Sequence, residues 1–368
     1  MNCLINYLGR RDAGPVFTLK MAQGLLDNGH DVYAVLSSQI ANKDEWDNEK
    51  RIKKIIYVDT YKNKNDVITK TMKFYLSGKN QIKKEFKDIT FDIVIKTMFH
   101  MWSEMVSSSV NAKRIVTVCH DVNMHSGEKM LLRILYKKHV KYSTDMIILS
   151  KRFLDDANKN YGIPKNRIYH MPLIEAGDYK KKMGDYTIPY KSDKTNFMFF
   201  GRIADYKGLH ILAKAYDKLY NENPNITLTV AGSGNFDKYR EEYSKLKNTR
   251  VDNRYIKDEE VGAYFNGPNV VSVIPYIDAT QSGIITTAMD FGNVIVASNT
   301  GGIIEQLDDG KIGILCKPAD VDSLYEAMKK TIDNPQLWKE EREKMDEYKK
   351  LFSWKNAVEN VVESIVKE

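Results

Sequence analysis

This chain of 368 residues is poor in cysteine, in histidine and in long apolar runs. Its three cysteines, Cys3, Cys119 and Cys316, each lie in or beside an apolar run. That placement argues against a disulfide framework and predicts buried thiols in a reducing compartment. The cysteines and seven histidines fall in no zinc-site spacing, so no metal site is expected from them. No segment approaches the ~20 apolar residues of a membrane span. The apolar part of MNCLINYLGRRD is too short for a secretory signal, and the expected location is cytoplasmic. G-x-G-x-x-G is missing where the first strand meets its helix, which argues against a nicotinamide-dependent oxidoreductase. The basic residues are not interleaved with an aromatic platform or a recognition helix, so nucleic acid is not an expected partner.

A hydrophobic fraction of 42% and a charged fraction of 29% are those of a soluble globular protein. The length exceeds one ordinary core and predicts two domains. The net charge of +7 comes mostly from lysine, in clusters at Lys53-Lys54, Lys83-Lys84, Lys137-Lys138 with Lys141, and Lys180 to Lys182. These are either solvated faces or a basic surface able to touch an anionic membrane at ~1 kcal/mol per well-placed cation.

Strand-like and helix-like segments alternate throughout, the pattern of parallel-sheet α/β structure. Strands are expected at Asn2 to Tyr7, Val32 to Leu36, Ile55 to Val58, Ile93 to Ile95, Ile115 to Val118 and Met146 to Leu149. Helices are expected at Val16 to Leu26, closed by Asn28-Gly29, and at Lys129 to Tyr142. Residues 179–196 are polar, lysine-rich and without apolar period, so they are expected to form a linker. The alternation then restarts with strands at Phe197 to Phe200, Thr227 to Val230, Val270 to Ile274, Val294 to Ala297 and Gly313 to Cys316, and a helix at Leu209 to Tyr220. The fold expectation is two doubly wound, Rossmann-like domains facing across a cleft, residues 1–178 and 197–352. Residues 353–368 would form an amphipathic helix returning to the first domain. Ligands belong at the carboxyl ends of the strands.

The most informative stretch is FMFFGRIADYKGLHIL, Phe197 to Leu212. Gly201 and Arg202 end a strand, Asp205-Tyr206-Lys207-Gly208 turns, and a helix follows. A forked guanidinium and a point-charge ammonium beside free helix N–H groups suit a diphosphate. Two surface cations on an ordinary turn are the plainer alternative. A second such place is Ala279 to Gly292, ATQSGIITTAMDFG. A helix expected to start near Gly283 would offer the backbone N–H groups of Ser282, Gly283 and Ile284. The alternative there is a helix end capped by Thr280 or Ser282.

FGRIxxYKG resembles the diphosphate-binding turn of the retaining, GT-B-fold glycosyltransferases of family 4. The resemblance covers nearly the whole chain and implies that Arg202 and Lys207 hold the pyrophosphate of a nucleotide-sugar. PYxxATQSG is similar to a variant donor motif common among bacterial polysaccharide glycosyltransferases, which implies donor contacts from Gln281, Ser282, Gly283 and Ile284. Many family members carry E-x7-E here, whereas Ala279 and Thr287 stand at those positions. Thr287 offers a hydroxyl in place of a ribose-binding carboxylate. The resemblance places Ala231 to Gly234 and Arg254-Tyr255-Ile256 near the nucleotide base, the latter through backbone groups.

In the first domain the strand ending TVCHD carries His120 and Asp121 to the cleft side. His120 is the best catalytic-side candidate beside Arg202 and Lys207, with His125 weaker. The alternative is a structural histidine. The loop GRRDAGP matches in position the family's glycine-containing first loop. Gly14 would admit the donor phosphates, and Arg10, Arg11, His120 and Asp121 would face the acceptor.

Together these imply transfer of a sugar from a UDP-, GDP- or dTDP-linked donor to a hydroxyl of a glycan or polyprenyl-linked glycan, with retention. The setting would be bacterial surface polysaccharide assembly, such as capsule or O-antigen. The nucleotide-sugar is a substrate, so no cofactor is expected. No Asp-x-Asp is placed as a metal clamp, so metal independence is expected. The missing glutamates keep two alternatives open: a non-catalytic nucleotide-sugar-binding subunit, and an epimerase or hydrolase acting on the donor alone.

Overall fold

A computed structural model describes residues 1–63, 65–123, 130–175, 177–184 and 194–367. His125 lies outside the described residues, as does most of the second half of the expected linker. The chain divides into two compact units. The first is Met1–Pro172 with Ser353–Glu368, and the second is Leu173–Phe352. The change-over thus falls ahead of residue 178. Tyr179–Lys182, within the stretch expected as linker, forms a short helix.

The first unit carries a parallel sheet of strands β1 (Asn2–Tyr7), β2 (Asp31–Ser37), β3 (Lys54–Val58), β4 (Thr90–Lys96), β5 (Asn111–Cys119), β6 (Asp145–Ile148) and β7 (Ile168–His170), in the order β3-β2-β1-β4-β5-β6-β7. The second carries β8 (Thr195–Phe200), β9 (Ile226–Ala231), β10 (Thr249–Asp252), β11 (Val270–Ile274), β12 (Val294–Ser298) and β13 (Ile314–Cys316), in the order β10-β9-β8-β11-β12-β13. Continuous apolar runs such as VVSVI in β11 and VIVAS in β12 are buried along their whole length. Strands covered by helices on both faces demand that pattern. β7 and β10 are short additions the sequence reading missed. Every residue of β10, TRVD, is only partly buried, so it lacks a core strand's apolar signal.

In each sheet the strand order reverses once, at β1/β4 and at β8/β11. At a reversal the loops leaving neighbouring strands diverge and open a crevice at their carboxyl ends, the usual ligand position in such sheets.

The helix Trp354–Lys367 belongs to the first unit and packs on the helix Gly14–Asp27. A Cβ on Gly24 would lie 2.7 Å from Val358 Cγ2 and 3.0 Å from the Trp354 carbonyl. The absent side chain is therefore what lets the two helices touch. Phe17 meets Trp354 edge to face with ring centroids 5.2 Å apart. Asn28 Nδ2 donates to the Lys355 carbonyl at 2.8 Å, and Arg114 donates to that of Ile365 at 3.1 Å. The three cysteines are buried and unbridged; burial pushes the Cys3 and Cys119 thiols up to about 12.

Candidate functional site

The crevice at β8/β11 gathers the two anion-binding candidates within the second unit. The turn after β8 is stitched to the loop after β9. The Gly201 amide donates to the Ala231 carbonyl at 2.9 Å, and that of Ile203 to Ser233 at 2.9 Å. Gly232 has φ +143, and a Cβ there would sit 1.9 Å from the Gly201 carbonyl oxygen. The Gly-Ser-Gly sequence thus serves close backbone packing. The same turn is tied to the segment after β11: the Ile277 amide donates to the Tyr206 carbonyl at 2.7 Å. Gly208 precedes the helix Leu209–Glu222 with φ +71, and a Cβ would lie 2.0 Å from the Pro275 carbonyl. Only glycine fits that conformation at that distance.

This stitching presents two cations. Arg202 is exposed, with Nη2 donating to the Tyr206 hydroxyl at 3.2 Å. Lys207 Nζ stands 3.5 Å from the centroid of the Tyr276 ring and 4.9 Å from that of Tyr206. A ring face attracts a cation without neutralising its charge. Tyr276 is itself buried, which pushes its phenol up to about 12 and keeps it neutral. Asp205, the acid within the motif, pairs with Lys238 and accepts from the Tyr239 hydroxyl at 3.1 Å.

The helix Gly283–Phe291 begins where the sequence predicted, and neither Thr280 nor Ser282 caps it. Gly283 is exposed, and a Cβ there would meet nothing within 4 Å. Gly201 lies beside it: a Cβ on Gly201 would be 3.8 Å from Ile284 Cγ1. One expected donor is corrected. The Ser282 amide donates to Gln306 Oε1 at 2.8 Å, while Gln306 Nε2 donates to the Ser282 carbonyl at 3.1 Å. The side-chain amide mimics a backbone partner and consumes that N–H, leaving the amides of Gly283 and Ile284 as the expected donors. Gln281 Oε1 is buried without a hydrogen-bond partner.

Thr287 is 4% exposed, and its hydroxyl donates to Glu175 Oε2 at 2.7 Å. The sequence reading passed over Glu175, which belongs to no motif and reaches the helix from 112 positions away. Around the base-side segment, Arg254 forks onto both Glu260 oxygens at 2.8 Å, and its amide donates to Asp252 at 3.0 Å. Its charge is therefore committed to fixing this loop. Tyr255 is exposed and Ile256 buried.

In the first unit, His120 follows β5 and contacts the residue after β4. Its Nε2 lies 3.0 Å from the Thr97 carbonyl. A carbonyl only accepts, so Nε2 carries the hydrogen and Nδ1 the lone pair. Phe17 packs edge-on at 4.7 Å, and burial lowers the histidine's pKa, which keeps the ring neutral and basic. Asp121 is partly buried beside it. At Gly14 the group that comes close is Tyr7: a Cβ there would lie 2.5 Å from the Tyr7 hydroxyl oxygen. Arg10 donates to Gln39 Oε1 at 3.2 Å and to the Lys62 carbonyl at 3.1 Å, which ties down one face of the guanidinium, whereas Arg11 is exposed.

Residues 187–352 match the family model described as "Glycosyl transferases group 1", and residues 15–173 match "Glycosyltransferase Family 4". An uncharacterised glycosyltransferase of Haemophilus influenzae is 21% identical over 309 residues, covering 79% of this chain and 80% of that protein. The structure of Anabaena HepE in complex with UDP-glucose superposes with a TM-score of 0.72 at 13% identity, covering both chains fully. WaaG, a glycosyltransferase involved in lipopolysaccharide biosynthesis, gives 0.66 at 16% identity over 99% of each chain. The chain thus carries a Family 4 glycosyltransferase domain followed by a group 1 glycosyltransferase domain, on the two-domain fold of the solved glycosyltransferase WaaG.

Proposed function

We propose that this protein transfers a sugar from a nucleotide-diphospho-sugar to a hydroxyl of a glycan or lipid-linked glycan, with retention and without a metal ion. The observation that carries the reading is the junction of the two loops at β8/β11. It sets Arg202 and Lys207 beside the open amino end of the Gly283 helix. As the glycosidic bond breaks, negative charge grows on the leaving diphosphate. Fixed cations and amides aimed there stabilise the transition state more than the ground state. On the first unit, His120 takes the acceptor side, offering a neutral ring to an attacking hydroxyl. The UDP-glucose complex of HepE supports the donor class, and the role of WaaG supports surface polysaccharide assembly.

Peripheral contact with an anionic membrane is part of the same proposal. Ile68, Met72, Tyr75 and Leu76 are 72%, 60%, 61% and 67% exposed, while Phe74 and Ile82 of the same helical stretch are buried. Apolar residues spaced in this way, with Lys73, Lys79, Lys83 and Lys84 nearby, suit a helix lying in a lipid interface. Pelleting with vesicles containing 30% phosphatidylglycerol should be lost on Met72→Ser with Leu76→Ser. Absence of binding at low salt by the wild type removes this part.

The donor reading is tested by thermal shift with UDP, GDP, dTDP, ADP and CMP and matching nucleotide-sugars, with no metal added. A nucleotide at 100 times its dissociation constant raises stability by ~2.7 kcal/mol. Stabilisation by one diphosphate family is the expected result, and no response to any of them overturns the reading.

A further inference from the structure

The loops leaving the first four strands of the first unit meet around one partly buried guanidinium. Arg10 follows β1, Gln39 follows β2, Tyr61 follows β3 and His100 follows β4. Arg10 Nη1 donates to Gln39 Oε1 at 3.2 Å and to the Lys62 carbonyl at 3.1 Å. Gln39 Nε2 donates in turn to the Thr60 carbonyl at 2.7 Å. Tyr61 is thus clamped at the residue on either side of it. Every acceptor in this clamp is neutral. Among the described residues Arg10 forms no ion pair, and acids close in sequence are committed elsewhere. Asp59 pairs with Lys70, and Asp66 accepts from the Lys62 and Asn63 amides at 2.9 Å.

Two further donors stand beside this cation. His100 is 9% exposed, and its Nδ1 accepts from the Trp102 amide at 3.2 Å, so the ring hydrogen sits on Nε2. That N–H has no partner among the described residues. The Tyr61 ring stacks on the His100 ring with centroids 5.4 Å apart and planes 21° apart. Its hydroxyl is likewise unpaired among the described residues. Both rings feel the guanidinium: its charge adds to burial in lowering the His100 pKa, and opposes burial at the Tyr61 phenol. Arg10 Nη2 and Nε, His100 Nε2 and the Tyr61 hydroxyl are therefore donors gathered round one positive charge.

A cation drawn partly out of water without an opposite charge is unfavourable, and a bound anion relieves it. The donor set narrows the class of anion. A carboxylate offers two oxygens in one plane, which a guanidinium fork satisfies alone. A phosphate monoester offers three terminal oxygens, matching three separate donor groups. The four loops lie at the carboxyl edge of the sheet, beside the β1/β4 reversal, where ligands of such sheets bind. We propose that Arg10, Tyr61 and His100 bind a phosphoryl group, and that the sugar acceptor of this protein carries it. The assignment to the acceptor rests on the nucleotide-sugar reading above; the site itself does not.

The test is NMR of the full chain labelled at histidine, with the His100 signal identified by its loss in His100→Gln. Inorganic phosphate, glucose 1-phosphate, geranyl phosphate and acetate are titrated at constant ionic strength. The phosphates should move the His100 signal to saturation, and acetate should leave it in place. Arg10→Gln should weaken phosphate about tenfold or more, the usual effect of a hydrogen bond to a charged group. Tyr61→Phe keeps the ring stack and should weaken phosphate about threefold at an unchanged melting temperature, which a merely structural hydroxyl would not do. Arg202→Ala with Lys207→Ala should leave the His100 response as in the wild type, so the result is separate from the donor reading. Tighter binding of geranyl phosphate than of glucose 1-phosphate assigns the phosphoryl group to a lipid-linked acceptor, and the reverse to a soluble one. Transfer of labelled sugar onto a cell extract should be lost when the extract is first treated with phosphatase; unchanged transfer overturns the acceptor assignment. A His100 signal that phosphate does not move, that acetate moves equally, or that responds as before in Arg10→Gln overturns the site. If no nucleotide binds in the thermal screen the donor reading falls, and the titration still decides the site.

Discussion

The two units share one strand order and treat charge in opposite ways. The second leaves Arg202 exposed and Lys207 over a ring face at the carboxyl edge of its sheet. The first draws charge inward. Lys96 is wholly buried, pairs with Glu104 and donates to the His139 carbonyl at 2.6 Å. Burial lowers the Lys96 pKa and raises that of Glu104. His139 is buried with neither ring nitrogen bonded, and His100 stacks on Tyr61 at 5.4 Å. The same architecture therefore fixes where a crevice lies and leaves its chemistry to the loops. In the second unit those loops carry cations at the strand ends; in the first the buried histidines are held neutral.

The contrast is broken most severely by removing its cations. Arg202→Ala with Lys207→Ala should reduce kcat/KM for the donor by about three orders of magnitude, at ~2 kcal/mol for each charge-assisted contact. The folded state should be nearly unaffected. Steady-state kinetics and a melting curve on one preparation check both halves, and intact donor turnover sinks the assignment. Next in size is Gly208→Ala. Its Cβ would meet the Pro275 carbonyl in a left-handed conformation, so it should lower stability by about 3 kcal/mol. Chemical denaturation reads that loss, and nucleotide affinity should fall with it because the two loops part.

The first unit is tested by pH. Burial lowers His139 to about 3, with Lys96 and His100 adding to the effect, and lowers His100 to about 4, with Arg10 contributing. Both rings stay neutral in the folded state and protonate once the chain unfolds. Their stabilisation is present above the unfolded value near 6.5 and is lost as pH falls toward the folded values. Between pH 7 and pH 5 each histidine should remove about 2 kcal/mol. Denaturation at both pH values, compared with His139→Leu, should show that one share of the slope gone. An unchanged slope contradicts the buried-neutral assignment. The smallest expected effect sharpens the second unit: Gln306→Ala removes the pair on the Ser282 backbone and should cost about 1 kcal/mol. Nucleoside diphosphate affinity should hold within about threefold if the amides of Gly283 and Ile284 do the binding.

The same contrast explains what could be read beforehand. Asn2–Tyr7 and Val270–Ile274 were visible residue for residue because a buried parallel strand is a mostly apolar run. Gly283 was visible as a helix start, and FGRIADYKG as a strand-to-helix turn, because each is a local pattern of backbone and charge. The partners of those patterns were not visible. Gln306 takes the Ser282 amide from 24 residues away, and Glu175 reaches Thr287 across 112. The Arg254 side chain closes on Glu260, a partner six residues on that no motif announced. Sequence reports a group's chemistry; only the folded chain reports which groups have already been claimed.

The contact at Gly24 has a consequence for how the protein is made. The first unit is completed by the Trp354–Lys367 helix, whose residues leave the ribosome more than 300 positions after the helix they cover. Until then the apolar face around Phe17 and Gly24 has no lid, while the second unit, Leu173–Phe352, already has all of its chain. Domains fold as units during synthesis, so the half made first should be the half that matures last.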